Sequence, residues 1–165
     1  MSAAVYIGFG SNLGDRQHQF EAALQALGQV PGTAITGTSR LYETDPVFLS
    51  DNGPKFLNAV IALETDLSPQ DLARQMQAIE LELGKSPSHR SDMSRAIDLD
   101  LLLYGEEVFS DDGLTIPHPR MHKRGFVLVP LAELAAEVAV PTLGCTVGDL
   151  LRGLSEEELA GVRLY

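Results

Sequence analysis

The sequence is poor in the residues that staple, anchor or metallate a protein. Cys145 is its only cysteine, which leaves no internal disulfide and fits a reducing, cytoplasmic compartment. With one cysteine and no CxxC pair, zinc lacks its usual thiolate ligand set. No run approaches the roughly 18 uninterrupted apolar residues of a membrane span. The opening MSAAVYIGFG lacks the basic flank of a secretory signal, so none is expected. Positive charge is scarce: 12 Lys and Arg against 23 Asp and Glu give a net charge of −11. That balance argues against nucleic acid, whose phosphates need a basic surface. The full patterns GxxxxGK[ST] and GxSxG are missing, which excludes a P-loop and a hydrolase nucleophile elbow. Cys145, in PTLGCTVGD, has no histidine close in sequence to activate it.

What is present describes one ordinary domain spanning 1–165, with 44% hydrophobic and 21% charged residues. A chain of this length buries roughly 70% of its unfolded surface, enough for its own core. The basic residues are unevenly spread. Lys85, Arg90, Arg95, Arg120, Lys123 and Arg124 cluster together, accompanied by His89, His118 and His122. A local basic patch on an acidic protein points to a small anionic ligand, although charges also gather in loops without purpose.

Periodicity gives the elements. AAVYIGFG reads as a strand, and GSNLGD turns the chain into a helix over about 15–29 with Phe20, Leu24 and Leu27 in one stripe. TAITGTSRLYET alternates and reads as a second strand, and FLNAVIALET as a third. SPQDLARQMQAIELELG has Ser68 as N-cap, Pro69 in the first turn and Gly84 at the far end, with Leu72, Met76, Ile79 and Leu83 facing inward. RAIDLDLLLYG is a fourth strand, followed by a hairpin turning at Asp112-Gly113 and a short helix over FVLVPLAELA. The tail holds one or two short helices and an edge strand. The order β-α-β-β-α-β predicts an α+β, ferredoxin-like core, an antiparallel sheet flanked by helices, with small C-terminal helices added. Two breaker-rich stretches, 45–55 and 85–94, interrupt the pattern.

The fourth strand carries an anomaly. Asp98 and Asp100 interrupt an apolar run, and residues two apart share a strand face about 6.6 Å from one another. Two carboxylates that close resist joint ionisation unless a cation intervenes, and with so few soft ligands nearby that cation is Mg²⁺ rather than zinc. The competing reading is a solvated sheet face, against which Leu102 on the same face weighs. His118, held between prolines in IPHP, and Arg124 are further candidates. GFGSNLGD has glycines but not the GxGxxG spacing, and the alternating second strand is wrong for a dinucleotide fold.

GSNLGD, YETDP, FLNAVIALET, RAIDLDLLLYG, LTIPHPR and RGFVLVPLAEL, taken in this order, resemble the 6-hydroxymethyl-7,8-dihydropterin pyrophosphokinase family of folate biosynthesis. The resemblance covers about residues 5–137 and implies an α+β fold with a ferredoxin-like core. It implies ATP as substrate, attack of the pterin hydroxymethyl oxygen on the β-phosphorus, and release of AMP. It assigns two Mg²⁺ ions to Asp98 and Asp100, and catalytic roles to these with Arg95, His118 and Arg124. Gln77, Glu80, Lys85, Arg95, Leu101, His118 and Arg124 match ATP-binding positions. Thr44, Pro46, Val47, Phe56, Asn58 and Phe126 match pterin-binding positions. In the stretch before the Asp-bearing strand, Lys85, Pro87 and Asp92 stand where well-known members have arginine, arginine and tryptophan, and lysine lacks the guanidinium fork. The partners expected are the two small substrates, with no nucleic acid or membrane, and the chain is expected to act as a monomer. Two other readings stay open, a non-catalytic pterin- or nucleotide-binding relative and a DxD nucleotide-sugar transferase.

Overall fold

Alternation in AAVYIGFGS places Val5, Ile7 and Phe9 on one face of strand β1 (Ala3–Ser11), where all three are buried. The computed structural model describes residues 2–45, 55–84, 97–111 and 113–165. Helix α1 (Arg16–Gly28) starts at Asp15, whose carboxylate accepts the His18 N–H at 3.1 Å. Its Phe20 meets Phe9 edge to face, with ring centroids 5.1 Å apart.

The stretch expected as one strand, TAITGTSRLYET, forms two: β2 (Thr33–Thr38) and β3 (Tyr42–Thr44). Both pair antiparallel with β4 (Phe56–Thr65). The break lies at Ser39. Its N–H donates to the Val60 carbonyl at 2.9 Å, and its hydroxyl accepts the Val60 N–H at 2.8 Å. A side chain thus keeps β4 fully bonded while the neighbouring backbone changes register, a substitution that hydrophobic periodicity cannot reveal.

Helix α2 (Pro69–Leu83) follows the expected signals: Ser68 Oγ accepts the Asp71 N–H at 3.2 Å, and Gly84 leaves the helix at φ 132°. Strand β5 (Asp98–Tyr104) leads to a hairpin of β6 (Phe109–Asp111) and β7 (Leu114–Ile116). A single 3-10 turn (Met121–Lys123) precedes helix α3 (Gly125–Ala135). The expected short helix runs through Pro130, which deprives the Phe126 carbonyl of its helical donor at a cost of about 3 kcal/mol. Burial of Val127, Leu128 and Leu131 on the sheet offsets that cost. The chain ends with a hairpin of β8 (Ala139–Val140) and β9 (Cys145–Thr146), helices α4 (Val147–Arg152) and α5 (Glu156–Ala160), and strand β10 (Val162–Leu164).

The main sheet runs β10-β3-β4-β1-β5, with β2 also on β4, and its pairings are antiparallel. This is the expected α+β arrangement. Helices α1 and α2 cover one face through Phe20, Leu27, Leu72 and Ile79. Helix α3 covers the other through Leu128 and Leu131 against Val60, Leu102 and Leu103. Because β4 is covered on both faces, FLNAVIALET is buried almost throughout instead of alternating.

Candidate active site

The two aspartates are placed by register. Strand β5 pairs with β1 so that Asp98 lies opposite Gly10 and Asp100 opposite Gly8. On the far side of β1, Gly10 pairs with Asn58 and Gly8 with Val60. Two rows therefore cross the sheet, Asn58–Gly10–Asp98 and Val60–Gly8–Asp100. Glycine at the centre of each row lets neighbouring side chains close over the strand, and a Cβ at Gly8 would stand 3.5 Å from the Leu102 methyls. A Cβ at Gly10 would stand 3.4 Å from Asn58 Oδ1 and 3.9 Å from a Phe56 ring carbon. Both aspartates are half-buried, on the α3 side. A register shift between Tyr6 and Ile7 then sends both Leu102 and Leu103 into the α3 core.

A cleft of about 510 Å³ opens at the outer edge of β5 and collects most of the sequence-predicted phosphate and metal residues. Asp98, Leu99, Asp100 and Leu101 line it from β5, and Ala73, Met76, Gln77 and Glu80 from α2. His118, Pro119, Arg120 and Arg124 form the opposite rim, with Gly113–Thr115 of the hairpin beside them. Glu80 is only 5% exposed, and its carboxylate accepts the Leu99 N–H at 2.9 Å. It thereby satisfies an outward-facing donor on an edge strand, between the two aspartates.

His118 is held on both sides of its backbone and ring. Its N–H donates to the Leu102 carbonyl at 3.0 Å, and its Nδ1 accepts the Arg120 N–H at 3.1 Å. An accepting Nδ1 places the proton of the neutral ring on Nε2. Burial pushes the imidazole below its usual titration range, the charges of Arg124 and Arg120 push it further, and Asp98 opposes them. The ring is thus a neutral donor at physiological pH. Arg124 stacks on Phe126, its guanidinium carbon 5.4 Å from the ring centroid.

Of the predicted pterin residues, Thr44 and Phe56 lie beside Asn58. Asn58 is 5% exposed, and its Nδ2 donates to Thr44 Oγ1 at 2.7 Å, which orients the amide and leaves Oδ1 beside Gly10. Phe56 pairs with Thr44 across β3 and β4. Strand β3 is tied to α3 by Glu133, which accepts from the Tyr42 hydroxyl and, at 2.9 Å, from the Arg40 N–H. Burial pushes the Glu133 carboxyl up, but these donors outweigh it and hold it below the usual carboxylate range. Lys85, Arg95, Pro46 and Val47 lie outside the described residues.

Sequence reasoning passed over Gly10 and Arg120 as site residues. Arg120 belonged to the basic cluster already visible in sequence. Gly10 stood in the glycine-bearing GFGSNLGD stretch, but its position between Asn58 and Asp98 depends on pairing among three strands. Among the described residues no cluster of three or more His, Cys, Asp or Glu could hold a metal ion. Two half-buried carboxylates lining one cleft nevertheless fit Mg²⁺, which binds through one or two carboxylates together with substrate phosphates.

By fold and site this is an α+β protein whose sheet edge sets two aspartates against two arginines and a histidine. Residues 6–136 match the family described as 7,8-dihydro-6-hydroxymethylpterin-pyrophosphokinase (HPPK), and the chain belongs to that family. It is 43% identical over 141 residues to the 2-amino-4-hydroxy-6-hydroxymethyldihydropteridine pyrophosphokinase of Pseudomonas aeruginosa, covering 86% of each chain. Against the Haemophilus influenzae protein of the same name it is 43% identical over 136 residues, 82% of this chain and 84% of that one. A crystal structure of wild-type Plasmodium falciparum HPPK-DHPS with pteroate shares the fold at a TM-score of 0.75 and 15% identity. That match covers 92% of this chain but 44% of the other, so this chain spans less than half of that longer protein.

Proposed function

We propose that this chain transfers the pyrophosphoryl group of ATP to 6-hydroxymethyl-7,8-dihydropterin, a step of folate biosynthesis. The substrate hydroxymethyl oxygen forms a bond to the β-phosphorus, and the bond from that phosphorus to the oxygen bridging it to the α-phosphorus breaks. AMP leaves, the pterin keeps the diphosphate, and the hydroxyl proton is lost to solvent. The observation that carries this reading is the Asn58–Gly10–Asp98 row. It puts an amide suited to a heterocycle edge and a carboxylate suited to a phosphate-bound cation on one sheet face, about 10 Å apart across two strand spacings.

Each residue has a role in this reading. Asn58 presents Oδ1 to the N–H groups of the pterin edge, while Phe56 and Phe126 sandwich its ring and Thr44, Pro46 and Val47 line its border. His118, through Nε2–H, and Arg124 donate to the triphosphate, joined by Arg95 and Lys85. Gln77 and Leu101 border the nucleotide, and Glu80 positions the β5 backbone. Asp98 and Asp100 would hold two Mg²⁺ ions, which supply charge neutralisation for the triphosphate. The stack of Arg124 on Phe126 ties the nucleotide side of the site to the pterin side. The chain works in this reading as a cytoplasmic monomer on two small-molecule substrates.

The test is the nucleotide product. Incubation with ATP, Mg²⁺ and the hydroxymethyl-dihydropterin should yield AMP; ADP would overturn the reaction assigned. Tight binding of an ATP analogue without any turnover would favour a non-catalytic relative.

A further inference from the structure

We propose that the segment 155–165 is a clasp that sets the spacing between the two walls of the pterin pocket, with Glu158 as its positioning residue. The proposal rests on the pterin reading above. The segment lies beyond residue 136, where the family match ends. One wall is β3, which carries Thr44 and through it orients Asn58. The other wall is the start of α3, flanked by Arg124 and Phe126.

The clasp touches both walls. Strand β10 pairs with β3, Val162 opposite Thr44 and Leu164 opposite Tyr42, and the Tyr165 N–H donates to the Leu41 carbonyl at 2.9 Å. Arg163 reaches Asp45 at 3.1 Å, an exposed pair whose contribution is small. Glu158 Oε1 meanwhile accepts the Gly125 N–H at 2.8 Å. Arg124, the N-cap residue, makes no side-chain cap to α3. Glu158 therefore supplies from a distant element both an acceptor for an orphan N–H and negative charge at the positive end of the helix.

Packing closes the link. A Cβ at Gly125 would stand 3.2 Å from Val162 Cγ2 and 3.2 Å from the Glu158 carbonyl. Val162 thus presses its side chain on the first residue of α3 while its backbone is bonded into the strand of Thr44. The distance between the Thr44–Asn58 wall and the Phe126 wall is set through this one residue and the Glu158 cap beside it.

The test compares Glu158→Ala, Glu158→Gln and the control Ser68→Ala, which removes the N-cap of α2 on the sheet face opposite α3. Calorimetry reads pterin affinity with a non-hydrolysable ATP analogue and Mg²⁺ present, and analogue affinity alone. Glu158→Ala should weaken pterin about fivefold, the equivalent of one lost hydrogen bond. Analogue binding should change by less than about twofold, because Arg124 is one of several groups facing it. Glu158→Gln keeps an accepting oxygen and should restore most of the pterin affinity. In the free protein, Glu158→Ala should shift the Phe126 amide resonance and the Asn58 side-chain amide resonances, and Ser68→Ala should not. Unshifted resonances, or equal losses for both ligands, would overturn the clasp. A wild-type chain that binds no pterin overturns the functional reading instead, a result separable from the resonance shifts.

Discussion

The Glu80 carboxylate accepts the Leu99 N–H at 2.9 Å, so a buried acid on α2 holds the residue that separates Asp98 from Asp100. Its replacement by alanine leaves a buried donor unsatisfied and loosens the strand that carries both aspartates. Glu80→Ala should cost about 1–3 kcal/mol of unfolding free energy and lower AMP formation as well. Urea denaturation beside the product assay checks both effects. An unchanged midpoint would show that water or a neighbouring group replaces the acid at no cost.

Asp98→Asn and Asp100→Asn keep the size of the side chain and remove the charge. Each should reduce AMP formation about a hundredfold or more, since several kcal/mol of transition-state stabilisation depends on the charge they organise. Thermal stability should hold or rise, because two nearby carboxylates repel one another. Chelation of Mg²⁺ should reproduce the loss in the wild-type chain. Wild-type turnover in either variant would remove the metal assignment.

His118 titrates below its usual value because burial, Arg124 and Arg120 all disfavour the cation. An unfolded histidine takes up its proton near pH 6.5. Above that pH both states are neutral and no stability is lost. As pH falls below it, the unfolded chain binds the proton that the folded ring resists, and stability declines. The ring-proton resonances of His118 should therefore show a midpoint below about 6.5 in the free protein. A triphosphate bound in the cleft should raise it. A free-protein midpoint at or above the ordinary value would contradict the site geometry.

Gly10→Ala adds one methyl group in contact with Asn58 Oδ1, the atom assigned to the pterin edge. The backbone there is ordinary strand, so the fold should persist. Pterin KM should rise about tenfold, the scale of one compromised hydrogen-bonding contact in a closed pocket. The KM for ATP should stay close to that of the wild type. Steady-state kinetics with each substrate varied in turn will separate the two, and an unaltered pterin KM would place the heterocycle elsewhere.

The parts of this protein legible in sequence are those encoded within a few residues. The Ser68 and Gly84 caps, the apolar strand AAVYIGFG and the Asp pair in an apolar strand each depend on local propensity and period, and all stand where expected. The family resemblance likewise rests on short motifs kept in order. The break at Ser39 was not legible, because a side chain there replaces a backbone partner on a strand far along the chain. Glu80 with Leu99 and Glu158 with Gly125 are pairs whose members lie 19 and 33 residues apart, and neither leaves a periodic trace. The sequence by itself determined the elements, their caps and the chemical types available to the site. Only the tertiary structure decided that Asn58, Gly10 and Asp98 share one row, because strand register is chosen by cross-strand hydrogen bonds and by which faces the helices bury, and neither is written in any single segment.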